Sequence, residues 1–236
     1  MARVLIFGAS RGVGLALARL LRSRQVPVLA LLRSPETAGD LETMGVGIIQ
    51  GDAFSPEDIA RALAHCHPSC NVVTTLGGRT PDGRYVDEIG NINVIDQAVA
   101  HRIDRFVLVT SIGCGDMAPY RSERAIAAFG AAVDAKTRAE EHLRRAIPSA
   151  TIIRPGGLRS EPGTGRGILS LDPQTHGSIN RDDVAELIVR ALGDPATCGR
   201  NFAAIDAGMV RSDHPIEPFS LLPMPMPAGD RLSSCA

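Results

Sequence analysis

Apolar residues along the chain alternate between short continuous runs and longer stretches in which they recur every three or four positions. Continuous runs of Val, Ile and Leu are typical of strands buried on both faces of a parallel sheet. The periodic stretches indicate amphipathic helices. The alternation predicts an α/β fold: a single Rossmann-type, doubly wound parallel sheet with helices on both faces.

The expected strand order is 3-2-1-4-5-6, possibly with a seventh strand. The predicted strands are residues 3–7, 26–32, 46–50, 72–76, 106–111, 151–154 and 202–205. The predicted helices are residues 12–24, 56–64, 87–101, 125–145 and 181–192. We assign residues 1–213 to the domain, including the Gly/Pro-rich segment 159–178, which we expect to form a loop over a substrate. The Pro-rich residues 214–236 are expected to form an irregular tail.

The composition of the chain limits the kinds of partner that the protein can bind. The 236 residues carry a formal net charge of −1, 3% aromatic residues and no Trp. This balance disfavours nucleic acid and acidic membrane surfaces as partners, and favours a small-molecule partner. Five irregularly spaced cysteines argue for a reducing compartment. The N-terminus does not resemble a signal peptide and no apolar run is long enough to span a membrane, so we expect a cytoplasmic protein. We expect a monomer because the substrate-side loops and the tail are suited to cover the site.

A glycine-rich turn joins the first predicted strand to the first predicted helix. Backbone N–H groups at a helix N-terminus bind phosphate, and glycines allow the phosphate to come close. This strand–turn–helix context predicts that the turn binds the pyrophosphate of a dinucleotide. The turn residues predicted to bind it are Gly8, Ser10, Arg11, Gly12, Val13 and Gly14.

The end of the second strand favours NADP(H) over NAD(H). Arg33 follows Gly14 by 19 residues, and no acidic residue lies between Val26 and Pro35. An Arg at this distance accommodates a ribose 2′-phosphate, whereas NAD enzymes place an acidic residue there. We expect the Arg11 and Arg33 guanidinium groups and the Ser34 hydroxyl to bind that phosphate.

Motifs further along the chain resemble atypical short-chain dehydrogenases/reductases of the NmrA-like and biliverdin reductase B-like flavin reductase branch. The resemblance covers residues 2 to about 206 and depends on the order of these loose motifs. The matching segments are residues 50–53 (QGDA), 75–78 (TLGG), 90–93 (GNIN), 109–113 (VTSIG), 154–158 (RPGGL) and 179–185 (INRDDVA).

The resemblance implies a role for each matching residue. Asp52 and Ala53 would lie at the adenine. Thr75, Leu76 and Gly77 would lie beside the adenine ribose. Lys136, the only lysine of the chain, would hold the nicotinamide ribose. The remaining positions implied at the cofactor are Asn93, Thr110, Ser111, Pro155, Gly156, Gly157 and Leu158.

One expected catalytic residue is missing. Dehydrogenases of this superfamily carry a Tyr four residues before the Lys, and here that position is Ala132. Of the two tyrosines, Tyr120 precedes the helix of Lys136 and could pair with Arg124, whereas Tyr85 lies elsewhere. Reduction of a ketone concentrates negative charge on one oxygen, where a positioned donor is valuable.

Conjugated acceptors such as flavins, quinones or bilins spread that charge. We therefore predict hydride transfer from NADPH to such an acceptor, with Ser111 and Lys136 as catalytic residues. The alternative is a non-catalytic NADP(H)-binding redox sensor or assembly factor. A carbonyl or sugar-nucleotide reductase would need a tyrosine close to the nicotinamide.

Other reactive side chains have simpler interpretations. The cluster His65, Cys66, His67 and Cys70 lacks a second ligand pair at zinc-finger spacing, so we predict no metal site. Cys114 lies near the predicted active-site strand but has no evident His partner, so we expect a packed thiol. His176 is a candidate proton donor, although a surface histidine is the simpler interpretation.

Overall fold

The sheet has the predicted strand order, including the seventh strand predicted at residues 202–205, and one further strand beyond it. The computed structural model describes residues 2–66 and 70–222. Within them, an eight-stranded sheet has the order β3-β2-β1-β4-β5-β6-β10-β8, and β7 pairs with β9 separately. The strands are β1 (Arg3–Phe7), β2 (Val28–Leu32), β3 (Gly47–Gln50), β4 (Cys70–Thr74), β5 (Arg105–Val109), β6 (Thr151–Pro155), β7 (Gly157–Arg159), β8 (Gly167–Ser170), β9 (Ser178–Asn180) and β10 (Asn201–Asp206).

Helices cover both faces of this sheet. They are α1 (Gly12–Ser23), α2 (Gly39–Thr43), α3 (Pro56–Ala64), α4 (Ile89–Ala100), α5 (Glu123–Ala146) and α6 (Arg181–Gly193). One core cluster joins α1, α2 and α6 to alternate strand residues such as Val4 and Ile6. The other joins α3, α4 and α5 to the intervening residues such as Leu5 and Phe7. Both faces of each central strand are therefore buried, as its uninterrupted apolar run predicts.

Several element boundaries differ from the prediction by a few residues. The fourth strand spans Cys70–Thr74 rather than 72–76, and the fifth ends at Val109 rather than at residue 111. Thr75, the residue after the fourth strand, donates its backbone N–H to the Phe7 carbonyl at 2.8 Å. Its hydroxyl lies 3.3 and 3.0 Å from the carbonyl oxygens of Phe7 and Gly8. The fourth helix begins at Ile89, so Asp87 precedes it.

The prediction that residues 159–178 form a loop is corrected by the structure. Gly167–Ser170 forms the antiparallel edge strand β8, which pairs with β10 on the side away from β6. A four-residue strand between glycine and proline residues carries too little periodicity to be recognised in the sequence. Residues 159–166, from the last residue of β7 to the residue before β8, remain exposed.

The described part of the tail is irregular, as predicted, but it packs against the edge of the sheet. Phe219 donates its backbone N–H to the carbonyl of Leu169 in β8 at 2.7 Å, and its ring contacts Phe202 in β10 at a centroid distance of 4.8 Å. Leu221 is buried. The division between domain and tail at residue 213 stays a prediction.

Candidate cofactor-binding site

A cavity of about 640 Å³ lies at the carboxyl ends of the central strands. The chain reverses its direction across the sheet between β1 and β4, and ligands of doubly wound sheets bind at such a topological switch point. The predicted site residues that line the cavity are Arg11, Gly12, Val13, Thr75, Leu76, Gly77, Thr110, Ser111, Lys136 and Leu158. Predicted residues from five separate parts of the sequence thus meet in one place.

The glycine turn has the form that close approach to a phosphate requires. Gly8 and Gly12 adopt φ of +93° and +60°, which disfavour any side chain. A Cβ on Gly14 would collide with the carbonyl oxygen of Gly8, and a Cβ on Gly8 would lie 2.8 Å from Oγ1 of Thr75. The bare backbone and the N-terminus of α1 form a cradle that fits a dinucleotide phosphate group. Ser10, by contrast, is exposed and lies outside the cavity lining.

The predicted 2′-phosphate residues are not together in this structure. Arg33 and Ser34 follow β2, and neither lines the cavity. The guanidinium of Arg11 points the other way: its Nη2 lies 3.6 Å from where a Cβ on Gly78 would stand, beyond the end of β4. β2 and β4 flank β1 on opposite sides. The shared phosphate site of Arg11, Arg33 and Ser34 stays a prediction.

Asp52 and Asn93 shape the turn after β3. The Asp52 carboxylate accepts a hydrogen bond from the backbone N–H of Phe54, and its own N–H donates to Asp58, both at 2.9 Å. The Asn93 amide donates to the carbonyl of Ala53 at 3.0 Å and so ties α4 to this turn. None of Asp52, Ala53 and Asn93 lines the cavity. Their contact with an adenine stays a prediction.

Lys136 has a carboxylate partner that sequence reasoning missed. Its ammonium forms an ion pair with Oδ1 of Asp87, and Oδ2 of Asp87 accepts from the N–H of Gly78 at 2.7 Å. Asp87 is 2% exposed. Burial lowers the pKa of Lys136 to about 8, and the carboxylate of Glu140 opposes that shift. Asp87 follows the matching segment 75–78 by nine residues, and this spacing does not distinguish it from other acidic residues of the chain.

Ser111 follows β5 and is next in sequence to Thr110, which belongs to a buried ionic network. Glu140 is fully buried and accepts from Oγ1 of the neighbouring Thr110 at 2.6 Å. Arg154 of the RPGGL segment donates to both oxygens of Glu140, at 3.0 and 2.7 Å, and pairs with Asp116 as well. Two parallel hydrogen bonds to one carboxylate are the strongest geometry for such a pair. Through Glu140, Arg154 is therefore linked to Thr110, the residue after β5.

The cavity lining contains no tyrosine. Ala132 is half-buried on α5, one turn before Lys136, as the sequence predicts. Tyr120 is 41% exposed, and neither it nor Tyr85 lines the cavity. Within the part of the chain that the structure describes, no phenol hydroxyl stands beside Ser111 and Lys136.

The turn after β6 is held by close backbone packing. Pro155 and Gly156 are buried, and a Cβ on Gly156 would lie 2.5 Å from the carbonyl oxygen of Gly177. Gly157 and Leu158 are exposed, and only Leu158 of the four lines the cavity. His176 is outside the cavity lining, and its Nε2 lies 2.9 Å from the carbonyl oxygen of Tyr120.

Cys114 is packed in the interior, as expected from the sequence. Cys114 is fully buried, and burial raises the pKa of its thiol to about 11. Its Sγ lies 3.6 Å from Oγ of Ser111. His67 of the His/Cys cluster lies outside the described residues. Among the residues that are described, no three His, Cys, Asp or Glu side chains form a group able to hold a metal ion.

Sequence reasoning assigned no cofactor-binding residue to one wall of the cavity, although Ser160 and Glu161 of this wall lie in segment 159–178, the predicted loop over a substrate. That wall consists of the face of α1 beyond the glycine turn, the residues after β7 and the start of α6. Its residues are Leu15, Ala16, Arg19, Ser160, Glu161, Arg181 and Asp182, together with Val109 at the end of β5. Arg181 and Asp182 lie in segment 179–185, which matched the family without an assigned role.

Fold and site together define a nicotinamide dinucleotide-binding protein of the short-chain dehydrogenase/reductase type. A family model described as NAD(P)H-binding matches residues 8–195, and the chain belongs to this family. In the described residues, no helix is long and apolar enough to cross a membrane.

Two kinds of relative are similar to this chain over most of its length. The solved structure of ChuY, an anaerobilin reductase from Escherichia coli O157:H7, has a TM-score of 0.81 and 36% identity, and covers 87% of this chain and 98% of its own. An uncharacterized sugar epimerase, YhfK of Bacillus subtilis, is 31% identical over 206 residues, which are 85% of this chain and 92% of its own. A Bacillus halodurans structure named for an NAD-dependent epimerase/dehydratase has a TM-score of 0.74 and 27% identity, and covers 88% of this chain and 95% of its own.

Proposed function

We propose that the protein is an NADPH-dependent reductase that transfers hydride to a conjugated acceptor of the flavin, quinone or bilin type. One observation carries the proposal: the cavity has Lys136 and Ser111 but no tyrosine among the described residues that line it. Such a site suits an acceptor that delocalises the incoming negative charge. The 36% identity to a protein named as an anaerobilin reductase supports a bilin-like acceptor.

In this proposal the bound nicotinamide supplies the hydride, and the residues of the chain position the cofactor and the acceptor. The glycine turn and the N-terminus of α1 bind the phosphates. Lys136, held by Asp87, binds the nicotinamide ribose hydroxyls, and Ser111 directs a hydrogen bond to the acceptor. Solvent supplies the proton that completes the two-electron reduction. The proposed setting is a monomer in the cytoplasm, with no nucleic-acid or membrane partner.

Turnover with a panel of acceptors tests the reaction. NADPH oxidation is followed with FMN, dichlorophenolindophenol and biliverdin, while NADPH binding is measured by calorimetry. The proposal expects turnover with at least one acceptor, and Ser111→Ala should reduce turnover while NADPH binding is kept. Binding without turnover on the whole panel would instead indicate a redox sensor or assembly factor. Turnover of a ketone or sugar nucleotide alone would contradict the proposed acceptor class.

Cofactor preference is tested separately. Calorimetry with NADPH and NADH should show tighter binding of NADPH, and Arg33→Ala should remove the difference because it removes the 2′-phosphate contact. Equal binding of the two cofactors by the wild-type protein, or tighter binding of NADH, would contradict the assignment of NADP(H).

A further inference from the structure

The first residue of α6 reaches the glycine turn. Nη1 of Arg181 donates to Oγ of Ser160 at 2.7 Å, and its Nε lies 3.7 Å from where a Cβ on Gly12 would stand. Arg181, Ser160 and Gly12 all line the cavity. The guanidinium therefore lies close to the glycine turn, in the same cavity where the phosphates would bind.

The fold holds Arg181 in this place from two sides. β9 pairs with β7 and ends at Asn180, so α6 must begin beside the residues that follow Leu158. Asp183, in the first turn of α6, accepts from the backbone N–H groups of Thr164 and Gly165, at 2.9 and 2.8 Å. The start of α6 is thus hydrogen-bonded to the exposed segment 159–166 at two places, Ser160 and the pair Thr164 and Gly165.

This wall of the cavity carries an excess of positive charge. Arg11, Arg19 and Arg181 line the cavity. Among the described residues, the guanidinium groups of Arg11 and Arg19 have no hydrogen-bond or ion-pair partner. The facing carboxylates are Asp182 and Glu161, and the second is already bonded twice by Arg159, at 3.0 Å each. The ammonium of Lys136 is paired with Asp87. The uncompensated guanidinium groups fit a doubly charged anion.

We propose that Arg181 binds the diphosphate of the dinucleotide from the side opposite the glycine turn, and that Ser160 positions its guanidinium. The diphosphate would then lie between the N-terminus of α1 and the first residue of α6. This proposal relies on the proposed function only in requiring that a nicotinamide dinucleotide binds. It gives segment 179–185 a role in binding and makes Arg181 a contact common to NADPH and NADH.

Calorimetry on the full chain with three ligands separates this contact from the 2′-phosphate contact. The ligands are NADPH, NADH and adenosine 2′-monophosphate, the last measured by competition. Arg181→Ala should weaken NADPH and NADH alike, by about tenfold or more, because each loses a charge-assisted hydrogen bond. It should leave adenosine 2′-monophosphate unchanged. Arg33→Ala should show the opposite pattern, with NADPH and adenosine 2′-monophosphate weakened and NADH unchanged.

Three further variants complete the test. Arg190→Ala is the matched control, since Arg190 lies on the same helix and binds the Leu221 carbonyl in the tail. Arg181→Gln keeps a polar group without the charge, so it should weaken both cofactors even if Arg181→Ala does not fold. Ser160→Ala should weaken both cofactors by a smaller factor, since it removes only the group that orients Arg181.

Four outcomes would overturn the proposal. One is that Arg181→Ala and Arg181→Gln bind both cofactors as tightly as Arg190→Ala does. Another is a loss confined to NADPH and adenosine 2′-monophosphate, which would place Arg181 at the 2′-phosphate. A third is a change only in KM for the acceptor, which would place a substrate anion there. The fourth is a wild-type protein that binds no dinucleotide; this alone would also refute the proposed function.

Discussion

Single atoms of the glycine turn decide whether a phosphate can approach. Gly14 is buried beneath the turn, where its missing Cβ leaves room for the carbonyl of Gly8 and the hydroxyl of Thr75. Thr75 in turn bonds the Gly8 carbonyl from the end of β4. The turn is therefore held by packing against the neighbouring strand, and its shape depends on the absence of one methyl group.

We expect Gly14→Ala to abolish NADPH binding and to destabilise the protein by about 1 to 3 kcal/mol, the usual range for overpacking. The added methyl group would collide with backbone, which cannot rotate away as a side chain can. Calorimetry and urea unfolding measure the two effects. Gly193→Ala is the control, because a Cβ at Gly193 would have no neighbouring side chain or packed backbone of the described residues within 4 Å. Similar behaviour of the two variants would refute this explanation.

The buried network beneath Ser111 is the other arrangement that depends on single residues. Glu140 is fully buried, and Arg154 supplies two of its hydrogen bonds. Removing one partner of a buried ion pair leaves a charge with neither water nor full compensation. An exposed pair of the same chemistry, Arg159 with Glu161, provides a comparison.

Arg154→Ala should lower the free energy of unfolding by about 3 to 5 kcal/mol, because the Glu140 carboxylate loses its main partner in the protein interior. Urea denaturation checks the value. Arg159→Ala should leave the midpoint unchanged, since solvent screens the exposed pair. If both variants shifted the midpoint equally, burial of the network would not be what makes Arg154 important.

At the scale of elements, the edge of the sheet is protected by the chain itself. β8 is the outermost strand and would expose unpaired backbone groups, which favour aggregation. The tail covers part of it: Phe219 bonds Leu169 in β8 and packs on Phe202. Asp194, at the end of α6, accepts from the backbone N–H of Leu222 at 2.9 Å. The irregular tail thus stabilises the edge without regular structure.

Phe219→Ala should destabilise the protein by about 2 kcal/mol, through lost apolar contact and a lost aromatic pair. Thermal or urea unfolding measures the change. Phe129→Ala is the matched control, because the Phe129 side chain is 66% exposed and should contribute little. A tail that contributed nothing to the fold would give the two variants the same stability.

At the scale of the whole molecule, the first turns of α5 expose two large apolar side chains. α5 has 24 residues, and the part before Gly130 is largely exposed, with Ile126 49% and Phe129 66% exposed. These two apolar side chains are the most prominent exposed pair on one described helix. If copies of the chain associate, this end of α5 is where we expect contact.

The proposed monomer is testable by sedimentation. We expect one species with the mass of a single chain, 24.9 kDa, at micromolar concentration. Two scattered apolar side chains offer far less area than a stable interface needs. A species of twice that mass would contradict the expectation. Its conversion to the monomer by Phe129→Ser would assign the contact to α5.

The sequence by itself determined the strand order, the glycine turn and ten of the residues that line the cavity. These features follow from local rules: uninterrupted apolar runs form buried parallel strands, and a glycine turn between strand and helix can have few other purposes. Ala132 in place of tyrosine was also evident from spacing alone.

Only the tertiary structure decided which distant residues complete the site. Asp87 faces Lys136 across 49 positions, and Arg181 faces Gly12 across most of the chain. Both are ordinary charged residues at helix starts, and nothing local distinguishes them from solvent-exposed ones. The edge strand β8 and the packed tail escaped prediction for the same reason, because their stability comes from contacts with β10 rather than from their own periodicity.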